Sequence, residues 1–151
     1  MLFRSRIVGI TKSHPEEYVR AAYTAGLKLI GENRVEEALP KRAATVDLDD
    51  LEWHMVGHIQ SRKAKNVVQT FDYVHSVDRR KIADRLNRTA ETAGIQLPVL
   101  LECNVSGEAT KWGWPLSDDQ SWKEAVPALS EICSLPHLKV QGLMKIGRAH
   151  V

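Results

Sequence analysis

Lys12, Glu32, Asn33, His58, Gln60, Ser76, Asp78, Asn104 and Ser106 stand at or just beyond the carboxyl ends of strand-like runs, where α/β folds assemble their sites. Lys12 carries the sharpest chemistry. It ends the β-branched run from Arg6, so apolar walls are expected on either side of it. Desolvation disfavours an ammonium and releases the neutral amine, a nucleophile that forms imines with carbonyl carbon. A lysine snorkelling at the rim is the purely structural alternative. The other polar residues serve equally well as helix caps and loop solvation. Ser61 reads as an N-cap, and His54, which alternates with apolar neighbours, reads as a satisfied interior or second-face histidine.

Several familiar devices are missing from the sequence. It has no G-x-x-x-x-G-K-[ST] loop, no G-x-G-x-x-G, no G-x-S-x-G elbow and no H-E-x-x-H. Cys103 and Cys133 lack C-x-x-C spacing and a matching histidine pattern, which excludes a zinc ribbon and a disulfide framework. The 151 residues are 43% apolar and 26% charged, with a net charge of +2. A chain of this size buries roughly 70% of the surface its unfolded form exposes, enough for one core. The charges are mixed in sign, against disorder or a basic nucleic-acid arm. No apolar run nears the roughly 18–20 residues that span a bilayer. With no long apolar secretory stretch at its start, the chain is expected in the cytoplasm, with neither membrane nor nucleic acid as a partner. Arg62, Lys63 and Lys65 form a basic helical face suited to an acidic partner or RNA. Without interleaved aromatics it reads as solvated.

The elements that must position these groups follow from period. Strand-like runs at 6–12, 27–33, 53–57, 73–77, 98–105 and 138–144 alternate with helical stretches. Ser13 to Glu16 reads as an S-x-x-E capping box opening a helix that ends near Gly26. The spacing predicts further helices over 35–44, with Pro40 ending or kinking it, over 61–70, over 79–93 closed by Gly94, and over 121–133. Ile82, Leu86, Ala90 and Ala93 recur at helical spacing, and 106–120 reads as a loop. Such alternation implies parallel pairing through right-handed crossovers. About six βα units are many for an open doubly wound sheet of this length and too few for a complete eightfold barrel of about 250 residues. Period alone leaves both closures open.

VGITKSHP (8–15), GENRVEE (31–37), WHMVGHIQSRK (53–63), HSVD (75–78), NVSGE (104–108) and GLM (142–144) occur in order along nearly the whole chain. Together they resemble the pyridoxal phosphate homeostasis proteins, also called the YggS or proline synthase co-transcribed type. The resemblance implies an α/β fold, an incomplete TIM (β/α)8-type barrel of the alanine racemase N-terminal type with about six βα units. It implies binding of pyridoxal 5′-phosphate (PLP) as an imine, with Lys12 as the imine lysine and Asn33 and Met144 lining the cofactor. It further implies a non-catalytic carrier in intracellular PLP homeostasis, monomeric at full length, with PLP-dependent apo-enzymes as recipients. Trp112 and Trp114 stand where the family more often has small residues. The alternative on the same barrel is an alanine racemase-like enzyme. That chemistry needs a second acid/base group opposite the lysine, and its lysine is usually followed by Tyr-Gly-His-Gly, whereas Lys12 precedes Ser13, His14 and Pro15.

Both ends are expected to be non-native. Ile146 to Val151 is what ATC GGA AGA GCA CAC GTC encodes, and GTG CTC TTC CGA TCT gives Met1 to Ser5; both match library-adapter DNA. Residues 6–144 are then a partial PLP-binding barrel domain, and 1–5 and 145–151 are adapter translation. Phosphate-binding groups, which in barrels follow strands seven and eight, are expected outside the chain. Open strand edges would favour association, and the isolated chain is expected to bind PLP weakly.

Overall fold

The computed structural model describes residues 5–145, and every strand pairing within them is parallel. The first half of the chain runs β1 (Val8–Ile10), α1 (Glu16–Thr24), β2 (Leu29–Glu32), α2 (Val35–Ala44), β3 (Glu52–Met55). A 3-10 turn (Ser61–Lys63) leads into α3 (Ala64–Thr70), followed by β4 (Tyr73–Val77) and α4 (Arg80–Ala93). The rest is β5 (Leu97–Asn104), β6 (Trp114–Pro115), α5 (Asp119–Cys133) and β7 (Leu138–Lys145). Strands β1 to β5 lie side by side in chain order, and β7 takes the next place on β5. A doubly wound sheet reverses its order at a switch point; this one does not. The winding is that of a barrel, open among the described residues because β1 and β7 are its two edges. The incomplete (β/α)8-type barrel expected from the sequence is what the chain forms. Residues 1–4 and 146–151, on which most of the adapter reading falls, lie outside the described residues.

One strand departs from expectation. Trp114 and Pro115, within the stretch read as a loop, pair with Cys103 and Asn104. β7 follows one flank of β5 as far as Cys103, paired with Lys145, while β4 stops on the other flank at Val77, paired with Leu101. β6 therefore fills the flank that β4 leaves free. Trp114 is buried there, and its Nε1 donates to the Val77 carbonyl at 3.0 Å.

The layers follow from two periods. On β5, Leu97, Val99 and Leu101 are buried and alternate with half-buried Pro98 and Leu100, as a strand covered on one face requires. On α4, Ile82, Leu86 and Ala90 are fully buried and form one stripe at 3.6 residues per turn. Ala93, expected on that stripe, is instead exposed in the last turn. The buried residues of β5 and α4 share one cluster with Trp53, Val74, Val35 and Ile132. Each large aliphatic side chain buried in it contributes about 1.5–3 kcal/mol.

Helix ends bear out some expectations and correct others. Gly94 closes α4 at φ 68, its N–H donating to Ala90 and Glu91 carbonyls; only glycine adopts that conformation without cost. α2 continues through Pro40 to Ala44. The Ser13 capping box does not form: Pro15 is the N-cap of α1, and Ser13 stands at φ 62. A capping residue needs extended backbone, and the left-handed Ser13 belongs to a turn. Ser61 is likewise no N-cap; it is the first residue of the 3-10 turn, and Gln60 precedes it as the cap.

The second face of the sheet carries His54, between the core residues Trp53 and Met55. As expected it is buried and partnered: its Nδ1 lies 2.7 Å from His75 Nε2. Its Nε2 is 2.8 Å from Glu52 Oε1, though off hydrogen-bond angle, and Arg6 reaches Glu52 Oε2 at 3.1 Å. Burial pushes both imidazoles down, His75 to about 4. This cluster spans Glu52 and His54 on β3 and the middle of β4, and none of its residues lines the cleft that holds Asn33 and His58.

Candidate functional site

Lys12 follows β1 in a turn closed by His14 N–H donating to the Thr11 carbonyl at 3.1 Å. Ser13, the third residue of that turn, adopts the left-handed conformation at φ 62, which costs a non-glycine residue about 1–2 kcal/mol. Lys12 itself is exposed. This corrects the expected desolvated amine: among the described residues β1 is an edge strand with a neighbour on one flank only, and no wall stands on the other. Its Nζ has no hydrogen-bond or ion-pair partner among the described residues.

Burial begins one residue earlier. Thr11 is 5% exposed, and its hydroxyl donates to Glu32 Oε1 at 2.5 Å. Lys41, on α2, donates to the same oxygen at 2.7 Å and to the Thr11 carbonyl at 2.8 Å. Glu32 is fully buried, with Oε2 left without a hydrogen-bond partner among the described residues. One turn earlier on α2, Glu37 Oε2 accepts from Ser13 N–H at 3.0 Å. Residues 37 and 41 share a helix face, so α2 holds the Lys12 turn from both sides.

At the ends of β2 and β3 lies a cleft of about 250 Å³ lined by Asn33, Arg34, His58, Gln60 and Lys63 among others. Its floor depends on Gly57, where a Cβ would stand 2.3 Å from the Asn33 carbonyl oxygen. Ser76 fastens the same glycine, its hydroxyl donating to the Gly57 carbonyl at 2.6 Å. His58 Nδ1 lies 2.8 Å from buried Asp78 Oδ2, an ion-pair separation off hydrogen-bond angle. Arg79 pairs with the other Asp78 oxygen at 2.5 Å and donates to the Ile59 carbonyl. Exposed Trp112 stacks on the His58 ring with centroids 3.9 Å apart. Glu102, buried on β5, is pushed up to about 7 by desolvation and by the neighbouring Asp78 charge. Asn104 organises the loop after β5: Nδ2 donates to the Glu108 and Lys111 carbonyls, and Oδ1 accepts from Ser106 Oγ and Gly107 N–H.

Of the residues singled out from the sequence, Asn33 lines the cleft with His58 and Gln60, while Lys12 and Met144 do not. Met144 is half-buried on β7, in register with Glu102. Lys12 and Met144 thus mark the carboxyl ends of the two edge strands, and the structure does not bring them together. Sequence reasoning missed Lys41, Glu37, Arg79 and Glu102. Glu102 left a signal as a lone carboxylate inside the apolar run 98–105; Lys41 left none beyond ordinary helix charge.

Comparison with known proteins places this geometry. The alanine racemase N-terminal domain matches residues 5–149. The pyridoxal phosphate homeostasis proteins of Pseudomonas aeruginosa and Aquifex aeolicus are 43% and 41% identical over 93% and 94% of this chain. The chain spans 58% and 59% of their lengths. PipY of Synechococcus elongatus, solved with PLP bound, is 36% identical with a TM-score of 0.82, over 99% of this chain and 67% of PipY. An alanine racemase of Clostridium difficile is 14% identical, with a TM-score of 0.74 over 95% of this chain and 36% of the racemase, a likeness of fold alone. The residues at the strand ends, the barrel winding and these matches agree: the chain belongs to the alanine racemase N-terminal domain family, among its pyridoxal phosphate homeostasis proteins.

Proposed function

We propose that the protein holds PLP through Nζ of Lys12 and acts as a carrier in intracellular PLP homeostasis, with PLP-dependent apo-enzymes as recipients. Lys12 is the observation that carries this reading. It is an exposed amine without a carboxylate partner among the described residues, on a turn held from both sides at a strand's carboxyl end. An amine not engaged by a carboxylate is free to add to a carbonyl carbon. PLP supplies that carbon as an aldehyde; the N–C bond forms and the carbonyl oxygen leaves as water. We assign cofactor contact also to Asn33, beside the cleft, and to Met144, on the opposite edge strand. The working domain on this reading is residues 6–144, completed by further βα units that bind the phosphate at helix N-termini.

The test is borohydride reduction of the chain in excess PLP, followed by peptide mass spectrometry. Reduction traps short-lived attachment, so it reads weak binding as well. The expected result is a label concentrated on Lys12 and abolished by Lys12→Ala. A label spread evenly over exposed lysines such as Lys123 and Lys139 would overturn the assignment.

A further inference from the structure

The contacts beneath Lys12 form one connected device. Glu37 and Lys41 lie one turn apart on α2, and each reaches the peptide on one side of Lys12. Glu37 takes the Ser13 N–H at 3.0 Å. Lys41 takes the Thr11 carbonyl at 2.8 Å and, through Glu32, the Thr11 hydroxyl. The Thr11 N–H is occupied as well, donating to the Gly31 carbonyl at 3.1 Å. Ser13 is held at φ 62, a conformation that persists only when its surroundings over-determine it. Lys41 and Glu32 are 7% and 0% exposed. Two charges taken out of water at that depth gain little net stability over apolar residues of similar volume.

We infer that Lys41, Glu32 and Glu37 are positioning residues: together they fix the backbone from Thr11 to Ser13 so that Lys12 presents its amine at the strand end in one direction. The inference rests on Lys12 being the attachment point for PLP. It goes further, because it makes helix α2 the element that decides which lysine reacts. Among the described residues the polar contacts serve the backbone on either side of Lys12 and not its side chain.

The experiment compares borohydride trapping of PLP in the wild-type chain, in Glu37→Ala, which removes the acceptor of the Ser13 N–H, and in the double variant Glu32→Gln/Lys41→Met. Labelling of Lys12 is read relative to Lys123, an exposed lysine on α5. Induced circular dichroism of the attached chromophore, measured before reduction, reports how firmly it is oriented. Glu37 lies at the surface side of the device, so Glu37→Ala is expected to fold even if the double variant does not; thermal melts identify which variants fold. The expected result is a wild-type preference for Lys12 that falls about tenfold in each folded variant, a factor equal to 1.4 kcal/mol, with loss of the induced signal. Equal labelling of Lys12 and Lys123 in the wild-type chain removes the attachment point and the positioning role with it. A wild-type preference retained in the folded variants, with its induced signal, removes the positioning role alone and leaves the attachment point standing.

Discussion

Gly57 supports the Asn33 side of the cleft by lacking a side chain. A Cβ there would meet the Asn33 carbonyl oxygen at 2.3 Å and Cα at 2.7 Å, both backbone atoms, so β2 and β3 would have to part. Gly57→Ala is expected to cost about 1–3 kcal/mol, read as a lower urea midpoint; an unchanged midpoint would mean the two segments give way freely. Lys41 raises a different question. Lys41→Met alone leaves Glu32 buried without its ammonium, at a cost of about 3–5 kcal/mol. Glu32→Gln with Lys41→Met removes both charges and is expected to recover most of that loss, so the two substitutions should be strongly non-additive in a double-mutant cycle. Additive losses would show that the pair is not coupled. Lys12 and Asn33 were legible in the sequence because a strand's end is marked by its period. Lys41 was not, since no local pattern tells a buried helix lysine from a solvated one.

Elements add order that single residues lack. The loop from Val105 to Gly113 has little apolar anchorage of its own, with Val105 and Trp112 both exposed; Asn104 makes four hydrogen bonds to it, beside those between Lys111 and Glu108. Asn104→Ala is expected to raise the rate of chymotryptic cleavage beside Trp112 by about fivefold, the factor that roughly 1 kcal/mol of local opening represents. No change in cleavage would place the loop's order in the His58–Trp112 stack instead. Most elements were readable from sequence to within a few residues: α4 by its stripe and closing glycine, β5 by its alternation. β6 was not, because two residues carry no period. Its pairing exists only because β4 ends early and leaves a flank of β5 free.

The whole molecule answers to pH through buried Glu102 and the His54–His75 pair, which work in opposite directions. Glu102 titrates at about 7 against an ordinary 4.5. The folded protein therefore holds a proton that the unfolded chain has lost, and stability falls as pH rises between those values. His75 titrates at about 4 against an ordinary 6.5. There the unfolded chain binds the proton first, so stability is lost as pH falls from 6.5 towards 4. The effects offset each other over the shared window. Glu102→Gln should unmask the histidine's contribution, giving a midpoint that rises with pH from about 4.5 to 6.5 and a more stable protein at pH 8. A pH profile identical to wild type would show that Glu102 does not titrate there. The open edges act at this scale too. Ile10 on β1 and Leu143 on β7 are 47% and 54% exposed, and uncovered edge strands invite pairing. Sedimentation should show concentration-dependent association that Leu143→Lys reduces; a strictly monomeric chain would show that these edges are inert.

The sequence by itself determined the alternation of strands and helices, the family and the lysine at the first strand's end, because each is written in local period or in short ordered motifs. Tertiary structure decided the rest. It chose barrel winding over a doubly wound sheet, left Lys12 exposed where a flanking wall was expected, and put Lys41 and Glu37 beneath it. Those outcomes turn on which distant segments meet, and local period carries no information about distance across a sheet.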